Sequence, residues 1–315
     1  MKKLPVILGP TATGKTALAI KLSKKYNGEL ISADSRQVYK NLDIGSGKIA
    51  LDSKIEKHDG FWIVDGVRVN GFDLVEPEEK FTAADFLKHT SLSITRMTKE
   101  RKIPIIVGGT GFYIKAFTGG LGSIGIPANQ NLRRQLENIS VGKLHQKLRG
   151  IDPKRAQSMN QSDCNNPRRL IRAIEIALNK DKLNTVNREP TTENHLLIGL
   201  TASNNYLYHR SDRWLDDRLE HGLIEEVESL IKSGISTGWL ENLGLEYRWI
   251  TRYLSGLFTK VEAIERLKGD THDFIRRQKT WFKQFKNIQI FDIGTKDYMQ
   301  KIEKKFAQFI STDIY

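Results

Sequence analysis

The stretch GPTATGKT, Gly9 to Thr16, decides the fold. It fits G-x-x-x-x-G-K-[ST], in which glycines let the backbone turn tightly and its N–H groups converge on a phosphate. The apolar run LPVIL (Leu4 to Leu8) precedes it and reads as a buried parallel strand. KTALAIKLSKKY follows, with Ala17, Leu18, Ile20 and Leu22 apolar and lysines opposite, and reads as a helix. Strand, glycine loop and helix in that order put the partial positive charge of a helix N-terminus behind the phosphate. The expected phosphate cradle is Gly9, Pro10, Thr11, Ala12, Thr13, Gly14, Lys15 and Thr16. Lys15 neutralises terminal phosphate oxygens, and the Thr16 hydroxyl ligates a Mg²⁺ that bridges them. The loop fixes a phosphate, not a reaction.

Outward from the loop, strand and helix alternate. GELISADS reads as a second strand ending at Asp34, and KIPIIVGGTG (Lys102 to Gly111) as a third. FYIKAF then resumes as helix, and HLLIGL (His195 to Leu200) returns as strand. This order predicts an α/β fold: a parallel sheet with flanking helices, its ligand site at the carboxyl ends of the strands. Residues 48–72 read as an irregular loop insertion, although Asp65-Gly66 within FWIVDGVRVNGF admits a hairpin turn. From about 126 to 192 the pattern becomes helical and rich in lysine and arginine. The expected division is a core of residues 1–121 and 193–315 with a helical insertion at 122–192. In GLIEEVESLIKSG, residues Leu223, Val227, Leu230 and Ile231 share one helical face. Trp249, Trp281 and Phe282 are aromatics that could stack on bases, but their helical spacing favours the core for each.

The chain has 315 residues, with 50 Lys plus Arg against 37 Asp plus Glu, a net charge of +13. That excess favours polyanionic partners such as nucleic acid. Cys164 is the single cysteine, which excludes an intramolecular disulfide and a thiolate-rich zinc site. The seven histidines lack metal-ligand spacing. MKKLPVILGP is too short in its apolar run for a secretion signal, and no apolar stretch approaches the roughly 20 residues that span a bilayer. A cytoplasmic monomer, with no membrane partner, is the expectation.

Asp34 is the one acid at the end of an obvious core strand. From its position alone it is a base facing an acceptor, a Mg²⁺ ligand, or a cap on the next turn. Three further stretches narrow the class: ISADSRQVYKNLDIGSGK (Ile31 to Lys48), IIVGGTGFYIKAFTGGL (Ile105 to Leu121) and PRRLIRAIEI (Pro167 to Ile176). Together with the late RRQKTWFKQF (Arg276 to Phe285) and LGLEYRWITRYLSG, they resemble the tRNA dimethylallyltransferases, over nearly the whole chain.

That resemblance implies a P-loop NTPase-like fold with a helical tRNA-binding insertion. It also implies transfer of a dimethylallyl group from dimethylallyl diphosphate to N6 of adenosine 37, beside the tRNA anticodon, with diphosphate released and Mg²⁺ as cofactor. Asp34 then takes or holds the N6 proton, Thr11 contacts a diphosphate oxygen, and Thr110 orients base and phosphates. Ser35, Arg36 and Gln37 match the stretch that meets the flipped adenosine and its neighbours. Asn166, Pro167, Arg168, Arg169 and Arg172 match the element that grips the anticodon stem-loop.

Two positions depart from the family pattern. In LYHRSDRWLDDRL, Arg210 matches the first of two arginines, but Trp214 stands at the second, which is implicated in diphosphate binding. Arg210 is the expected diphosphate ligand, with Arg213 as the other candidate. Asn166 stands where Asp is usual, losing a charge and keeping an acceptor. Rival readings are an ATP-dependent small-molecule kinase, a free-nucleotide prenyltransferase, and an RNA-binding protein with an inactive loop. The kinase leaves the basic insertion unexplained, and the intact Lys15, Thr16 and Asp34 argue against an inactive loop.

Overall fold

The structure, a computed structural model, describes residues 3–48, 53–119, 126–179 and 195–311. Its sheet has eight strands: β1 (Leu4–Leu8), β2 (Gly28–Ser32), β3 (Ile55–His58), β4 (Phe61–Val64), β5 (Val67–Asn70), β6 (Ile103–Gly108), β7 (His195–Thr201) and β8 (Gln289–Asp292). Their order is β3-β4-β5-β2-β6-β1-β7-β8. β1 lies between β6 and β7, parallel to both, with Val6 opposite Ile106 and Leu197. Val6, Ile7 and Leu8 are completely buried, because helices cover both faces of a parallel sheet and leave no polar side to the strand.

Residues 48–72, read from sequence as a loop insertion, carry the three strands β3, β4 and β5 instead. β4 and β5 form an antiparallel hairpin closed at Val64–Val67. Its turn residues Asp65 and Gly66 both have positive φ, 50° and 79°, the combination that matches the twist of a two-residue hairpin. β5 then pairs parallel to β2, so the hairpin extends the main sheet. Trp62, Val64, Val67 and Val69 bury one side of it, which is why the segment is held.

Helix α1 (Lys15–Tyr26) packs Leu18, Ile20 and Leu22 on the sheet. Helices α2 (Ala83–Lys99) and α3 (Gly111–Gly119) flank β6 in sequence. α2 starts with a capping box between Thr82 and Asp85. The described chain falls into two compact units, 1–118 with 191–315, and 119–190. The smaller unit holds α4 (Gln130–Leu136), α5 (Val141–Ile151), α6 (Pro153–Ser158), α7 (Gln161–Cys164) and α8 (Pro167–Ala177) around Leu144, Leu148, Leu170 and Ile174. At its centre Glu175 is fully buried and accepts from Arg133, Arg172 and the Asn129 amide.

The larger unit ends in α9 (Asn204–Glu220), α10 (Leu223–Lys232), α11 (Thr237–Leu243), α12 (Leu245–Leu254), α13 (Lys260–Phe282) and α14 (Tyr298–Ser311). Leu223, Val227 and Leu230 of α10 pack with Leu215, Tyr247 and Leu267 in a second core, with Ile231 at its margin. Trp249 and Phe282 are core residues, as expected; Trp281 is not, and lines a cleft. No helix among the described residues is long and apolar enough to cross a membrane.

Candidate active site

The glycine loop joins β1 to α1 at the carboxyl edge of the sheet. Gly14 is the N-cap of α1 in a left-handed conformation, with no side-chain cap, so the first N–H groups of the helix stay available to an anion. Gly9 is required by closeness: a Cβ there would stand 2.6 Å from the Leu200 carbonyl oxygen on neighbouring β7. Inside the loop, the Thr13 hydroxyl and the Lys15 ammonium both donate to the Pro10 carbonyl, at 2.8 and 2.7 Å. Burial lowers the Lys15 pKa to about 8, and the negative charge of Asp34 offsets part of that loss. The lysine is thus a poorly solvated cation awaiting an anion.

Asp34 lies two residues beyond β2. One carboxylate oxygen accepts from the Arg36 amide at 2.9 Å, so it does cap the turn; the other has no hydrogen-bond partner among the described residues. The Thr110 hydroxyl accepts from the Ser35 amide at 3.0 Å, and the Thr110 amide donates to the Ala33 carbonyl at 3.1 Å. These bonds lock the loop after β2 to the loop after β6. The Arg36 guanidinium is engaged with Glu246 at 2.8 Å and with the Leu243 carbonyl at 2.7 Å. Gln37 donates to the Ser46 carbonyl at 3.2 Å and accepts from the Ser32 hydroxyl at 2.6 Å. Both side chains therefore brace the wall, while Ser35 is exposed at its rim.

Thr11, Lys15, Thr16, Asp34, Thr110 and Arg210 all line one cleft of about 870 Å³. Nε of Arg210 donates to the Ala12 carbonyl at 2.8 Å, which sets this arginine on the glycine loop. Arg213 is exposed and does not line the cleft, so the structure brings Arg210 to the loop and not Arg213. A residue outside the sequence-derived site ties it together. Gln278, on α13 and 7% exposed, accepts from the Thr11 amide at 3.0 Å and donates to the Gly109 carbonyl at 3.1 Å. It clamps the glycine loop to the loop after β6. The late RRQKTWFKQF stretch carried this signal, without saying where the glutamine points.

In the smaller unit, Asn166 caps α8 through its side-chain oxygen, which accepts from the Arg169 amide at 3.1 Å, and Pro167 occupies the first turn. The cap needs only an acceptor, which is why Asn serves. Arg168 and Arg169 are exposed, Arg169 pairing with Asp163. Arg172 is turned inward, at 3.0 Å from Glu175 and 2.8 Å from the Ile126 carbonyl, so it builds the unit rather than presenting its charge.

A mostly parallel sheet, a glycine loop opening a helix, and an acid and a hydroxyl facing that loop across a cleft define a P-loop enzyme acting on a phosphorylated substrate. The IPP transferase family model matches residues 37–285. A tRNA dimethylallyltransferase of Acetivibrio thermocellus is 37% identical over 321 residues, covering 99% of this chain and 98% of that protein. Among solved structures, the full-length tRNA isopentenylpyrophosphate transferase of Bacillus halodurans is 35% identical, with a TM-score of 0.70, covering 98% of this chain and 97% of its own. A eukaryotic dimethylallyltransferase acting on tRNA is 25% identical, with a TM-score of 0.78, over 99% of this chain and 80% of its own. The chain belongs to the IPP transferase family.

Proposed function

We propose that the protein transfers the dimethylallyl group of dimethylallyl diphosphate to N6 of adenosine 37 in tRNA. The observation that carries this reading is the meeting of two chemistries in one cleft: an anion cradle with a desolvated lysine, and a carboxylate with one oxygen unengaged across from it. The amides of the loop, Lys15 and Arg210 hold the diphosphate and stabilise the charge it gains on leaving. Thr11 contacts it from within the loop. Asp34 accepts the N6 proton, or its hydrogen bond, as N6 bonds to the prenyl carbon and the carbon–oxygen bond to diphosphate breaks. Thr110 holds the loop after β2 in register and faces base and phosphates. The adenosine leaves the anticodon stack to reach this depth, at a cost of a few kcal/mol.

The Thr16 hydroxyl is a hard oxygen donor lining the same cleft, of the kind that suits Mg²⁺. Bound there, the ion would neutralise diphosphate charge. Ser35, with Arg36 and Gln37 bracing it, meets the acceptor side of the cleft. Arg168 and Arg169 on α8 serve the anticodon stem, and Arg172 supports them from inside their unit.

The test offers the purified protein unmodified tRNA with radiolabelled dimethylallyl diphosphate or, separately, γ-labelled ATP. Prenyl label on tRNA, abolished by Asp34→Ala, is the expected result. Label moving only from ATP would make the protein a kinase, and transfer to AMP but not tRNA would remove RNA from the reading.

A further inference from the structure

Arg218, on α9 two turns beyond Arg210, is 3% exposed yet lines the cleft. A buried cation normally needs a paired anion to offset its desolvation. Among the described residues this one has none: no carboxylate lies within 4.0 Å, and its one hydrogen bond runs from an Nη to the Gly45 carbonyl at 3.3 Å. The two carboxylates whose charge acts on it are committed elsewhere. Glu226 accepts from the amides of Asp43, Ile44 and Gly45 and from the Tyr247 hydroxyl. Glu246 pairs with Arg36. What holds the guanidinium is the Trp214 indole, with Cζ 3.2 Å from the ring centroid. Burial lowers the Arg218 pKa to about 10, with Glu246, Tyr247 and Glu226 partly restoring it, so it stays a cation at neutral pH.

An arginine offers five N–H donors in a fixed fork that matches phosphate oxygens. Side chains on a helix lean toward its N-terminus. Stacked on Trp214, one turn earlier, the Arg218 fork lies on the Gly45–Gly47 turn: one Nη donates to the Gly45 carbonyl, the other would stand 2.8 Å from a Cβ at Gly47, and both glycines line the same cleft as Lys15 and Arg210. We infer that Arg218 is a phosphate-binding residue of the cleft, presented by Trp214, whose spare donors engage the diphosphate of the prenyl donor. The pair Trp214 and Arg218 thereby supplies, from one turn further along α9, the guanidinium absent at position 214. The inference rests on the proposed prenyl-donor site.

The test is Arg218→Met, with Arg218→Lys as a second variant that keeps the charge and loses the fork. The affinity for Mg²⁺-diphosphate by calorimetry, KM for each substrate, and Tm are measured on the full chain. A charged hydrogen bond to phosphate corresponds to roughly a tenfold to hundredfold effect. Arg218→Met is expected to weaken diphosphate binding and raise the donor KM by that factor. The tRNA KM should stay within about twofold and Tm should hold or rise, because a buried unpaired cation has been replaced by an apolar chain. Arg218→Lys should fall between. Diphosphate affinity unchanged in both variants overturns the inference, and so does a rise in the tRNA KM alone, which would give the fork to an RNA phosphate. A wild-type protein that binds diphosphate but transfers no prenyl group sinks the proposed function and leaves this test intact. One that binds no diphosphate sinks both.

Discussion

Raising the pH should weaken donor binding and strengthen the empty fold over the same interval, and Lys15 is the cause. Its pKa falls from the ordinary 10.5 to about 8, chiefly through burial, with Asp34 opposing. That gap corresponds to at most roughly 3 kcal/mol of cation solvation withheld by the loop. A phosphate in the cradle restores the missing partner and draws the proton back. Free Lys15 is about nine-tenths protonated at pH 7 and about one-tenth at pH 9. Diphosphate affinity should therefore fall about tenfold between those values. The sign for the fold itself is opposite: between about 8 and 10.5 the unfolded chain binds more protons than the folded one, so apo stability rises with pH. Calorimetry of Mg²⁺-diphosphate binding and urea unfolding of the empty protein, both from pH 7 to 9.5 at fixed ionic strength, read the two slopes. Lys15→Arg, which cannot deprotonate, should flatten both. A diphosphate affinity constant across the range, or the same slope in Lys15→Arg, would refute the reasoning.

Three other outcomes follow from the geometry. Asp34→Asn keeps an oxygen for the Arg36 amide but removes the base, so the single-turnover rate should drop roughly 10²–10⁴-fold with Tm nearly unchanged; a loss under tenfold removes Asp34 from proton transfer. Gln278→Leu deletes both bonds of the loop clamp, and should cost about 1–3 kcal/mol in urea unfolding while raising the donor KM; a KM unmoved would make the clamp purely structural. Burial pushes the Glu175 pKa up, but its bonds from Arg133, Arg172 and Asn129 outweigh that and hold it below 4.5. Glu175→Gln should therefore loosen the insertion by roughly 3 kcal/mol, seen as lost hydrogen-exchange protection in α4, α5 and α8 but not in α1. Acid should do the same as pH falls through the depressed pKa, because the stabilisation is complete only above the unfolded value.

The central strands, the glycine loop and α1 were legible because each announces itself locally, through an unbroken apolar run or a turn only glycine permits. The hairpin of β4 and β5 had its signal in Asp65-Gly66 and in the alternation of Val67-Arg68-Val69-Asn70, but the unbroken apolar run Phe61-Trp62-Ile63-Val64 hides which side chains of β4 face inward. The burial of Trp62, Val64 and Val69 comes from packing in the main core with Leu18, Ile20 and Ile105, which are distant in sequence, once β5 has paired with β2. The site divided along the same line. Lys15 and Thr16 open the helix after the glycine loop and Asp34 follows a strand end, places where sequence order fixes position. Gln278 and Arg218 act through contacts across hundreds of residues or through a ring stack, and a helical pattern alone leaves their direction open. Arg213 and Arg172 show the converse: the right residue type in the right stretch, carried to solvent in one case and into an ion pair in the other.

The clamp on the glycine loop also has a consequence for the order of assembly. The amide of Thr11 waits for a side chain 267 residues further along. Between them the ribosome must deliver β6, which carries the second loop, and β7, which flanks β1 on its other side. At about 5–20 residues per second, synthesis takes tens of seconds to reach Gln278 after the loop is made. During that time the nascent chain carries a phosphate signature without its completed cradle. A protein shortened before α13 would keep every residue of that signature and still lack the donor site.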